Sequence, residues 1–252
     1  MQAIAKVPIR YPFDMACIFC ILWYNKDTNA PRRIYNEGNR PDPHDKRNYA
    51  RLSRDGASVA DGRQLANCYA VDGFKETLLR MFSHTGTHID PPAHLYPDGK
   101  TLDAFPAEHF VGRALVVDCT ACGEGEAIPL SAITRYGHRA EAAEFLLFSL
   151  GWDEKWGTDG YFGDYPCLSD EAMDYVLANN YKGIGFDVIG LDPIADTALV
   201  RHHRLFAEKN MLNIENLTNL RSCGEDLFTF VCLPLKWENS DGAPARAIAI
   251  LD

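Results

Sequence analysis

Seven short aliphatic or β-branched runs between Thr77 and Leu251 limit the folds open to this chain, because each is too brief for a buried helix and suits a strand. They are Thr77–Ser83, Arg113–Cys119, Glu144–Leu150, Gly183–Val188, Met211–Ile214, Leu227–Leu233 and Ala245–Leu251. Helix-like segments alternate with them. One follows Ser169, a good N-cap, with Asp170 and Glu171 where the helix dipole favours negative charge. Others cover Leu199 to Glu208 and Ser131 to Tyr136. The expectation is an α/β, β-rich domain over residues 69–252. Residues 1–68 differ: Arg32 to Arg63 is polar and rich in Pro, Asn, Asp, Arg and Gly, which reads as loop.

Composition removes several function classes. A formal net charge of −10 over 252 residues opposes a general nucleic-acid surface, which needs clustered Lys and Arg, and opposes an anionic membrane for the same reason. The apolar run Met15 to Tyr24 is far short of the roughly 20 residues that cross a bilayer. Eight dispersed cysteines form no disulfide framework, so reduced thiols in the cytoplasm are expected. The Cys-x-x-Cys pairs Cys17/Cys20 and Cys119/Cys122 could share a zinc ion, but apolar flanks make buried structural thiols the plainer reading.

Chemistry concentrates between Ser83 and His94, which holds three of the eight histidines and one aspartate. Imidazole and carboxylate together suit a zinc or manganese ion. Gly86, Pro91 and Pro92 oppose a helix. In an extended chain His84, His88 and Asp90 share a face, yet a regular strand would part the two histidines by about 13 Å, at about 3.3 Å per residue. The chain is therefore expected to bend at Gly86, whose missing side chain permits it. His84, His88 and Asp90 are the candidate metal ligands. His94, beyond the stiff Pro-Pro step, is the candidate general acid or base, close to the ion without being bound to it.

His84-Thr85-Gly86-Thr87-His88-Ile89-Asp90-Pro91-Pro92-Ala93-His94 resembles, at every fixed position, the His-x-Gly-Thr-His-x-Asp-x-Pro-x-His motif of the cyclase-like metal-dependent hydrolases, the family of bacterial kynurenine formamidase and isatin hydrolase. The resemblance continues through Gly185-Phe186-Asp187, through Ile214-Glu215-Asn216-Leu217 and from Leu233-Pro234-Leu235 to Ala249, covering about residues 70–252. It implies a swivelling β/β/α domain assembled as a homodimer or homotetramer.

It also implies a second metal position shared through Asp90 and completed by His203 and Glu215. His203 is preferred to its neighbour His202 because the twelve-residue interval to Glu215 matches the family pattern. The expected cofactor is one or two divalent ions, zinc first and manganese second. The expected partner is a small aromatic amide or formamide substrate, with N-formylkynurenine first and a cyclic amide such as isatin second. A non-catalytic metal or small-ligand binder is the competing class. Family members open with an Asp-Leu-Ser or Asp-Leu-Thr strand and a Tyr-Pro-Gly or Trp-Pro-Gly segment; neither is found in residues 1–68.

Overall fold

The computed structural model describes residues 17–19, 63–67, 73–79, 81–208 and 210–251. Its strands are β1 (Cys17–Phe19), β2 (Arg63–Asn67), β3 (Glu76–Leu79), β4 (His88–Asp90), β5 (Val111–Asp118), β6 (Ala127–Ile128), β7 (Phe145–Ser149), β8 (Cys167–Leu168), β9 (Gly183–Phe186), β10 (Leu212–Glu215), β11 (Phe228–Pro234) and β12 (Ala243–Ile250). The helices are α1 (Leu130–Thr134), α2 (His138–Ala142), α3 (Asp170–Ala178) and α4 (Val200–Glu208).

The main sheet runs β12-β11-β5-β7-β9-β10-β4 and closes on itself, because β4 also pairs with β12. Closure removes the exposed edges that an open sheet would leave. The second edge of β12 is divided: Ala243 and Pro244 take β4, while Ile248 to Ile250 take β1. The strand Cys17–Phe19 of the amino-terminal segment therefore joins the same sheet. β5, β7, β9 and β10 are parallel neighbours, as expected where helices alternate with strands.

Alternation along each strand sorts the core into two layers. Ala114 and Val116 of β5, Phe145 and Leu147 of β7, Leu212 and Ile214 of β10 and Ile89 of β4 belong to one buried cluster. Leu115, Val117, Leu146, Phe148, Ile184 and Phe186 belong to the other, against Ile133 of α1, Met173 and Val176 of α3 and Leu205 of α4. Residues of β4 and β10 that alternate with Ile89, Leu212 and Ile214 must face the helix side, and there the polar side chains collect.

The expected helix after Ser169 is α3, with Ser169 Oγ accepting from the Ala172 amide. The run Thr77–Ser83 is strand only to Leu79, and Met81 and Phe82 lie exposed beyond it. Cys119 is buried at the end of β5, as a structural thiol should be. The loop reading of residues 32–62 and the side chains of Cys17 and Cys20 fall outside the described residues. Among the described residues, no helix is long and apolar enough to cross a membrane.

Candidate metal centre

The bend expected at Gly86 is present: its φ is +66°, a left-handed conformation that glycine adopts without a side-chain clash. The turn brings the His84 and His88 rings to a centroid separation of 5.1 Å, edge to face. Two side chains hold it. The Gly86 carbonyl accepts from His88 Nδ1 at 2.8 Å and from Asn216 Nδ2 at 2.9 Å. Thr87 Oγ1 donates to the Asn216 carbonyl at 2.6 Å, and the Tyr161 hydroxyl donates to Asn216 Oδ1 at 2.7 Å.

β4 and β10 pair antiparallel with Asp90 opposite Asn213, Ile89 opposite Ile214 and His88 opposite Glu215. The isoleucines enter the core, so His88, Asp90, Asn213 and Glu215 share the other face of one ladder. All four are buried. Asp90 Oδ1 lies 2.6 Å from His84 Nδ1 and 3.1 Å from His88 Nε2. Glu215 lies 3.6 Å from His88 Nε2 through Oε2 and 3.3 Å from His202 Nε2 through Oε1. Asn213 Nδ2 donates to both carboxylates, at 3.2 Å to Asp90 and 2.9 Å to Glu215.

His203 does not join these groups. It is exposed, and its Nδ1 meets the Tyr96 hydroxyl at 2.9 Å, away from Glu215. The buried neighbour His202 takes the place assigned to it. Successive helix residues point about 100° apart, so two adjacent histidines cannot both face the ladder. His202 shares its face with buried Leu205 and Phe206, three and four residues on. Asp192 fixes it: Oδ2 lies 2.6 Å from His202 Nδ1 and accepts from the His202 amide at 3.0 Å, while Oδ1 accepts from the Arg201 amide at 2.9 Å.

His94 closes the short 3-10 turn Pro92–His94, and its ring centroid stands 4.0 Å from that of His84. Asp241, which the sequence reading missed, lies in the turn between β11 and β12. Its Oδ2 is 3.4 Å from His84 Nε2 and 3.3 Å from Ser83 Oγ. The Asp-Gly pair Asp241-Gly242 just before a strand is a turn signal, but no local pattern says where such a turn lands.

Electrostatics divide the histidines. Burial opposes the His84 imidazolium, but Asp90 and Asp241 outweigh it and push the pKa up to about 10. Burial brings His94 down to about 3, with Asp90 opposing and the neighbouring His84, His202 and His88 reinforcing the fall. Burial works against the Asp90 carboxylate, yet His88 and His84 hold it well below the ordinary range.

The donor set suits a divalent cation. The atoms of His84, His88 and Asp90 lie within 4.8 Å of one another, as do those of Asp90, His202 and Glu215 and those of His84, His94 and Asp241; Asp90 is common to the two fully buried groups. Outward acceptors occupy Nδ1 of His88 and of His202, which turns both Nε2 atoms toward the carboxylates. Asn213 Oδ1 is buried beside them without a hydrogen-bond partner. Histidine with carboxylate is a zinc or manganese donor set.

A closed, strand-rich barrel with helices on one face and a buried histidine–carboxylate ladder defines a swivelling β/β/α domain with a candidate metal centre. The chain belongs to the putative cyclase family, whose pattern matches residues 21–193. That match begins within the amino-terminal segment. An uncharacterised protein of Methanocaldococcus jannaschii is 31% identical over 182 residues, 72% of this chain and 86% of that protein. The kynurenine formamidase of Salinibacter ruber is 32% identical over 175 residues, 68% of this chain and 77% of that enzyme. Isatin hydrolase A of Labrenzia aggregata shares the fold, with a TM-score of 0.66 at 24% identity over 75% of this chain and 82% of that one. A structure titled as a potential metal-dependent hydrolase with cyclase activity superposes with a TM-score of 0.58 at 26% identity, covering 75% and 87%.

Proposed function

We propose that this chain is a metal-dependent hydrolase that opens the amide bond of a small aromatic formamide. The carrying observation is the pair of ligand groups sharing Asp90, with an imidazole outside both standing 4.0 Å from His84. His84, His88 and Asp90 would hold one cation, and Asp90, His202 and Glu215 a second, as zinc or manganese. A bound divalent cation supplies Lewis acidity toward a carbonyl oxygen and lowers the pKa of water.

The protein's own contribution is proton handling and orientation. His94 would act first from its uncharged form, the state that desolvation favours in the metal-free protein, by accepting a proton. It takes that proton from the attacking water at a ring nitrogen, then delivers it to the nitrogen that leaves the acyl carbon. Formate and a free aromatic amine are the products. The buried surroundings of β4 and β10 keep bulk water from the ladder.

A formamide is favoured over a cyclic amide because several relatives at 30–32% identity are named kynurenine formamidases, whereas isatin hydrolase A shares the fold at 24%. Assembly as a homodimer or homotetramer is part of this reading and is measured by light scattering. The direct test offers purified protein N-formylkynurenine, isatin and a lactone panel, followed by absorbance. Turnover of the formamide that a chelator abolishes and zinc or manganese restores supports the reading. Tight metal binding without turnover on any of them overturns it in favour of a binding protein.

A further inference from the structure

Each histidine of the two ligand groups has one ring nitrogen toward the carboxylates and the other toward an acceptor outside them. For His88 that acceptor is the Gly86 carbonyl at 2.8 Å, and for His202 it is Asp192 at 2.6 Å. Both acceptors are buried in the fold. His84 is turned the other way, with Nδ1 inward on Asp90 at 2.6 Å and Nε2 outward. What Nε2 meets is Asp241 Oδ2, at 3.4 Å.

We infer that Asp241 is a positioning residue for the metal centre, the acceptor that holds the His84 ring with Nδ1 aimed at the cation. This rests on the metal-dependent reading above. An outward acceptor fixes the tautomer and ring orientation of a ligating histidine and raises its basicity. With a cation bound, an Nε2–H donated to this carboxylate would leave Nδ1, the nitrogen beside Asp90, as the ligating atom.

The turn is built for this. Ser240 is buried; its amide donates to Asp103 Oδ1 at 3.2 Å, its carbonyl accepts from the Leu102 amide at 3.0 Å, and its hydroxyl donates to the Gly242 carbonyl at 3.2 Å. Gly242 lies directly against the His84 ring. Those bonds tie the turn to the short helical segment Leu102–Ala104, so the carboxylate is placed before any cation arrives. Asp241 differs from the other two acceptors in being accessible, with its side chain 54% exposed. It is the outward link to the centre that solvent reaches.

The test measures zinc affinity of the full chain by competition with a chromophoric chelator, for wild type, Asp241→Ala and Asp241→Asn. Asp241→Ala is expected to weaken binding about 10- to 100-fold. Asp241→Asn keeps an oxygen that accepts from Nε2 and should recover most of that loss. Rescue by asparagine separates orientation from general damage, and circular dichroism verifies that both variants fold. Unchanged affinity in Asp241→Ala, or equal loss in both variants, overturns the assignment. Failure of the wild type to bind zinc or manganese would instead refute the metal-dependent reading itself.

Discussion

Replacing Gly242 with alanine is the sharpest probe of the geometry, because one methyl group would land on the first candidate ligand. A Cβ there lies 2.4 Å from His84 Cε1, 2.6 Å from Nε2 and 2.9 Å from Nδ1. Carbon atoms sit comfortably at roughly 3.5 Å or more, so the ring must retreat by about 1 Å. His84 Nδ1 is only 2.6 Å from Asp90, and a retreat of that size takes it out of hydrogen-bond range. A misplacement of about 1 Å costs on the order of 100-fold in rate, about 2.7 kcal/mol of transition-state stabilisation. Fold stability should fall less, by about 1 kcal/mol, because the imidazole can swing while the backbone stays. Zinc affinity and kcat/KM are compared with wild type and with Gly123→Ala, where the added Cβ meets nothing closer than 3.4 Å. Gly242→Ala binding zinc and turning over within about twofold of wild type would refute the reasoning.

Two further outcomes follow from the same arrangement. His202→Ala should lower the metal content measured by elemental analysis, while His203→Ala leaves it unchanged, since His203 makes an exposed contact with Tyr96; the reverse order would restore the sequence-based assignment. In chelator-treated protein the raised His84 pKa sets the sign of the pH dependence. Its stabilising pairing with Asp90 and Asp241 is fully present below the unfolded value near 6.5 and is lost as pH rises toward about 10. Thermal midpoints should decline across that window more steeply in wild type than in His84→Ala, and equal slopes would count against the pairing.

The motif between His84 and His94 was legible because its constraints are local. Strand pitch separates the two histidines too far, so a bend was required, and Gly86 was the residue that could supply it. The long strands β5, β7 and β11 were legible from their aliphatic runs. β4 was not, since three residues show no period and its two ladders come from partners more than 120 residues away. The twelve-residue interval from His203 to Glu215 cannot tell adjacent residues on a helix apart. The helical period could have: His202, Leu205 and Phe206 form the buried stripe of α4, and His203 lies off it. Asp192, Asn213, Asn216 and Asp241 reach the centre only through tertiary pairing; Asn216 and Asp241 fall in stretches that carry the resemblance, but no local pattern says what either touches.

His84, His88 and Asp90 are expected to converge upon one divalent cation. Anomalous X-ray scattering from crystals grown with zinc or manganese tests it most directly. The expected result is an anomalous peak bounded by His84 Nδ1, His88 Nε2 and Asp90 Oδ1, with a second peak beside His202 and Glu215 if two ions bind. A fully occupied ion elsewhere on the protein, with nothing at these three atoms, would contradict it.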